Sequence, residues 1–85
     1  MVLYPNYPNP FNIETKLEFH LNKSEKVKLE VFNILGQREI TLLDTELDAG
    51  HHEVTWDASN LPSGIYYYKL SNGEDYLSRK MCLIK

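Results

Sequence analysis

The sequence predicts an all-β fold, an immunoglobulin-like antiparallel β-sandwich of about seven short strands. Three observations carry that expectation. Apolar residues recur with a period of two along several stretches, clusters of Gly, Pro, Asn, Asp and Ser separate those stretches, and no segment follows the 3.6-residue period of an amphipathic helix. At 85 residues, with 42% apolar and 25% charged side chains, the chain has room for one core and the composition of a folded domain.

Residues 1–12 hold Pro5, Pro8 and Pro10, which lock φ and remove backbone donors, so this stretch is an extended Pro/Asn-rich lead-in and the sandwich spans 13–85. From Thr15, the residues Leu17, Phe19 and Leu21 alternate with Lys16, Glu18 and His20, the pattern of a half-buried strand. After the polar turn Asn22-Lys23-Ser24-Glu25, Val27, Leu29 and Val31 repeat it, and the short link favours an antiparallel pair. Gly36 supplies a tight reversal after Phe32 to Leu35. Glu39 to Leu43 is a third apolar run, and Asp44 to Gly50 reads as a loop. His52, Val54 and Trp56 then share one face opposite His51, Glu53 and Thr55, with Trp56 in phase for the core and Leu61 able to plug it from the following loop. Beyond Pro62-Ser63-Gly64, Tyr66, Tyr68 and Leu70 share a buried face. Asn72-Gly73 is a hairpin signal of the type I′ kind, and Leu77, Met81 and Leu83 alternate with Ser78, Lys80 and Cys82 in a last strand running almost to Lys85.

Several function classes are disfavoured at this level. A net charge of −3 offers no positive field for nucleic acid. No apolar run approaches the roughly 20 residues that span a bilayer, so membrane insertion is not expected, and Met1 to Pro5 lacks the basic and apolar regions of a signal peptide. Cys82 has no partner, so the core must supply the roughly 4 to 13 kcal/mol of net stability typical for this length. In alternation with Met81 and Leu83, Cys82 faces the other side of its sheet and reads as a small inert hydrophobe.

Catalytic and cofactor signals are equally thin. There is no G-x-S-x-G elbow and no other recognisable nucleophile–base spacing, so the chain is not expected to be an enzyme. His51 and His52 are adjacent on a strand and diverge to opposite faces, with His20 the only other histidine, so neither a metal nor another cofactor is expected. The alternating carboxylates Asp44, Glu46 and Asp48 lack the glycine and the terminal Glu of an EF-hand loop.

Five blocks in order are more specific than any catalytic motif. They are Tyr7-Pro8-Asn9-Pro10-Phe11-Asn12, Val31 to Gln37, Ala49 to Asp57 with its Val-Thr-Trp-Asp ending, Leu61-Pro62-Ser63-Gly64-Ile65-Tyr66 and on to Leu70, and the terminal Lys80 to Lys85. Together they closely resemble the type A C-terminal sorting domain of the type IX (Por) secretion system of Bacteroidetes and related bacteria. That resemblance implies a β-sandwich at the end of a longer precursor, with an N-terminal cargo domain, a translocon and a sorting peptidase as partners and the outer cell surface or the medium as destination. It carries Pro62, Gly64 and Tyr66 as the conserved turn-to-strand step, and Lys80, Met81, Leu83 and Lys85 as the terminal strand that recognition requires. Ile13 departs from the pattern, which usually continues Phe-Asn-Pro after the first block. The last strand, with Lys80 and Lys85 outward, is the expected docking edge. Lysines also keep an edge strand soluble, and such an edge permits a weak homodimer.

Two other readings stand beside this one. The immunoglobulin-like domain of a flagellar hook-capping protein shares the Trp-Asp and Leu-Pro-Ser-Gly-x-Tyr blocks. A carbohydrate-binding accessory domain requires an exposed aromatic platform, and fewer than two accessible Tyr or Trp rings on one face would reject it.

Overall fold

The computed structural model describes residues 1–85 and contains seven strands and no helix. They are β1 (Val2–Leu3), β2 (Glu14–Leu21), β3 (Glu25–Asn33), β4 (Arg38–Leu47), β5 (Gly50–Asp57), β6 (Gly64–Ser71) and β7 (Tyr76–Leu83). One sheet has the order β1-β2-β5 and the other β4-β3-β6-β7, with every neighbouring pair antiparallel. Leu17, Phe19 and Leu21 of β2 face Val27, Leu29 and Val31 of β3 and Tyr66, Tyr68 and Leu70 of β6 across one core, which Trp56, Met81 and Leu83 extend. The period-two alternation places these side chains inward. Phe11, Trp56 and Tyr66 form an aromatic row through it, with ring centroids 5.9 and 6.2 Å apart.

Three local expectations are corrected. β2 and β3 do not pair: β2 lies between β1 and β5, and β3 lies between β4 and β6. The link 22–24 instead crosses the core, since three extended residues reach about 10 Å, the spacing of two packed sheets. Asp44 to Leu47 is strand, because Asp44 and Glu46 stand opposite Lys28 and Lys26 and these unlike charges favour continued pairing. Asn72-Gly73 opens a four-residue loop in which only Gly73 has positive φ, 95°, whereas a type I′ turn needs two such residues. Asn72 Oδ1 there accepts the N–H groups of Glu74 and Asp75. Gly36, at φ 81°, closes the β3–β4 turn while Asn33 Oδ1 accepts from the N–H groups of Leu35 and Gln37.

Residues 1–12 belong to the packed body, with strand β1 at Val2–Leu3 and bends at residues 8–10. Leu3 and Phe11 are buried in the core, Tyr7 bridges Lys16, and Phe11 runs parallel to Leu83. Asn6 Nδ2 donates to Thr15 Oγ1 at 3.0 Å, and the Tyr68 hydroxyl donates to the carbonyl of Tyr4 at 2.6 Å. Ile13 then enters β2 with φ 77°, a region costly for a β-branched side chain, while its carbonyl accepts the Ala58 N–H at 2.7 Å. Because the Ile13 side chain is exposed, little burial is lost on its removal. Ile13→Gly is therefore expected to raise stability by about 1 kcal/mol, read as a higher urea midpoint.

Candidate functional site

The Pro62-Ser63-Gly64 turn and the end of β7 come together at one end of the sandwich, because Gly64 pairs with Leu83. The Tyr66 hydroxyl donates to the Pro62 carbonyl at 2.7 Å, four residues upstream. This is the tyrosine corner of immunoglobulin-like sandwiches, in which a strand-initial Tyr pins the preceding turn. Burial pushes the Tyr66 phenol up, and the nearby Glu39 carboxylate adds to the shift. Tyr66→Phe keeps the ring and loses the bond, so it is expected to cost about 1 kcal/mol and lower Tm by roughly 4–8 °C in a thermal melt.

The tail is tied to the same turn. The Lys85 N–H donates to Ser63 Oγ at 3.0 Å, and its ammonium donates to the Ser59 carbonyl at 2.7 Å. Lys85 also lies near Asp57, whose carboxyl is held below its ordinary range by hydrogen bonds from Ser59 and, to a lesser degree, by this charge. Lys80 is exposed on the outer face of β7, opposite Tyr67. Met81 and Leu83 are about 1% exposed and Tyr66 is 4% exposed, so these three shape the site from inside while Pro62, Lys80 and Lys85 reach solvent. Gly64 is half-buried between them.

β7 is an edge strand, but the edge is only partly open. Asn9 Oδ1 accepts the Cys82 N–H, the Phe11 N–H donates to the Cys82 carbonyl, and the Ile84 N–H donates to the Phe11 carbonyl. The lead-in thus covers the strand from Cys82 onward. By alternation the backbone groups of Ser78 and Lys80 also point away from β6, and no turn or loop backbone group bonds them. Arg79 folds back so that its Nε donates to the Leu3 carbonyl at 2.7 Å.

Two other clusters lie outside this end. On the outer face of the four-stranded sheet, Phe32, Gly36, Tyr67, Lys69, Tyr76 and Ser78 line a shallow cleft of about 260 Å³. Tyr67 and Tyr76 are both exposed, which meets the count of two rings, yet the Lys69 ammonium sits 5.6 Å from the Tyr76 ring centre and 5.2 Å from that of Phe32. A cation held at Tyr76 competes with a sugar for one of the two exposed rings. On the outer face of the three-stranded sheet, Glu18, His51 and Glu53 bring one ligand atom each to within 4.8 Å of one another. His51 and His52 do diverge, the latter stacking on Phe19 and bonding the Asp48 carbonyl.

Comparison with known proteins decides among the readings. The family model described as the secretion system C-terminal sorting domain matches residues 4–85. The chain belongs to this sorting-domain family. The sorting domain is a C-terminal signal for type IX secretion, which implies contact with the secretion machinery and an attached cargo that it directs to the cell surface or beyond. Among solved structures, it is similar to part of PorZ of Porphyromonas gingivalis, described as an essential bacterial surface component of the type IX secretion system. That match has a TM-score of 0.66 at 18% identity over 98% of the sorting domain, and it shows the fold. The sorting domain spans about a tenth of the PorZ chain, 11% of its length. No curated protein sequence matches it.

Two features of the sorting domain escaped the sequence. The tyrosine corner has a local signal, a Tyr four residues after a Pro at a strand start. The Glu18–His51–Glu53 group has none, since it requires the β2–β5 register.

Proposed function

We propose that the sorting domain is a non-catalytic address label recognised by the translocon and the sorting peptidase through the end where the corner and the tail meet. Residues 1–12 travel with 13–85 as one unit, with the cargo attached on the N-terminal side. In this reading Pro62, Lys80 and Lys85 are presented outward, and Gly64, Tyr66, Met81 and Leu83 hold the presenting shape. The observation that carries the reading is the double tie of Lys85 to Ser59 and Ser63, which fastens the last residue onto the turn pinned by Tyr66. A folded surface of this kind can be read after the chain has reached the periplasm, because an edge strand presents backbone donors and acceptors together with alternate side chains to a receptor.

The test is a reporter carrying an export signal peptide, fused ahead of residues 1–85 and expressed in a type IX-competent bacterium and in its translocon-deficient derivative. Surface or extracellular reporter in the first strain and periplasmic reporter in the second is the expected result. Equal retention in both strains overturns the proposal.

A further inference from the structure

We propose that Glu18, His51 and Glu53 form a binding site for a divalent transition metal of the zinc class on the outer face of the three-stranded sheet. This assignment is independent of the sorting role and lies on other strands. Glu18 stands directly opposite Glu53 in the β2–β5 ladder, and His51 lies two residues before Glu53 on the same face. Like charges directly opposite one another on a sheet destabilise it, and a bridging cation removes that cost.

The geometry suits the ion. His51 Nε2 and Glu18 Oε2 are 3.2 Å apart, close to the roughly 3.4 Å edge of a tetrahedron whose ligands lie about 2.1 Å from zinc. All three ligand atoms lie within 4.8 Å of one another, so small rotamer adjustments complete three sides of the coordination shell. Two carboxylates and a neutral imidazole balance a dication, leaving the site without net charge. Water or His20, directly opposite His51, is available for the fourth position. Lys16 Nζ, 3.7 Å from Glu53, is the one cation already in contact with the group. All three side chains are partly or largely exposed, so the ion enters without opening the core. An imidazole among the ligands favours zinc, nickel or copper over calcium and magnesium, which take all-oxygen shells.

Titration calorimetry of the 85-residue protein with zinc chloride tests the proposal, together with thermal melts in zinc, calcium or magnesium. One saturable zinc site is expected, with Tm raised by roughly 5–10 °C at ten times Kd and unchanged by calcium or magnesium. His51→Ala and Glu18→Gln should each weaken zinc at least about tenfold, and His52→Ala, on the opposite side of the strand, should bind as the parent does. Since His51 is exposed, His51→Ala keeps the fold, which its melt without metal verifies. Absence of saturable binding below about 1 mM zinc, or parental affinity in His51→Ala, overturns the assignment.

Discussion

Tyr68→Ala is expected to remove about 3–5 kcal/mol, roughly a quarter or more of the stability available to a domain of this length. Tyr68 has no solvent exposure and is the largest fully buried side chain, packed between the sheets from β6. Its hydroxyl also ties the lead-in through the Tyr4 carbonyl, so truncation leaves a cavity and removes that carbonyl's donor. In urea, where m is about 1 kcal/mol/M for a domain this small, the midpoint should fall by roughly 3 M or more. The same residue gives the fold an alkaline limit. Burial pushes the Tyr68 phenol up to about 12, against the smaller opposing effects of Arg79 and the Asn6 N–H. The unfolded phenol titrates near 10, so the native state holds this proton more tightly. The resulting stability is fully present below about pH 10 and is lost as pH rises through about 12. Urea midpoints measured across that window should fall, and Tyr68→Phe should make the fall shallower.

Deleting Lys80 to Lys85 is expected to unfold the domain as well as to abolish secretion of a fused reporter. The deletion removes Met81 and Leu83 from the core, at about 2–5 kcal/mol each if they behave as large-to-small substitutions. It also strips Phe11 of both backbone partners on the terminal strand and Pro62-Ser63-Gly64 of the tail that fastens it. The summed loss is comparable with the roughly 4–13 kcal/mol available. Loss of amide chemical-shift dispersion in the truncated protein, with the reporter retained in the periplasm, is the expected outcome. A retained reporter from this deletion therefore reflects two losses together, the folded shape and the exposed lysines.

The strands were legible because inward alternation is a local property. Leu17, Phe19 and Leu21, or Tyr66, Tyr68 and Leu70, declare their shared face within a few residues. Partner choice is non-local and was misjudged where a short link suggested a hairpin: Leu21 and Glu25 are close in sequence, yet the intervening residues carry the chain from one sheet to the other. The role of the lead-in was hidden for the same reason. Phe11 finds its backbone partners at Cys82 and Ile84, some seventy residues away, and nothing in a proline-rich stretch announces that contact. At the candidate site, the turn and the terminal strand were legible from their motifs. That Lys85 folds back onto Ser59 and Ser63 was not, because a terminal lysine carries no pattern of its own.

The central claim is that a folded end of the domain, with its lysines presented, is what the secretion machinery reads. Lys80→Glu combined with Lys85→Gln tests it most directly: Lys80 is exposed, and Lys85→Gln keeps the main-chain tie to Ser63 while giving up the solvent-exposed ammonium bond to Ser59, at about 1 kcal/mol. The measurement is the fraction of fused reporter outside the outer membrane, alongside the melting temperature of the isolated variant. The account predicts a near-parental melt with the reporter held in the periplasm. Parental secretion by the folded double variant would contradict it.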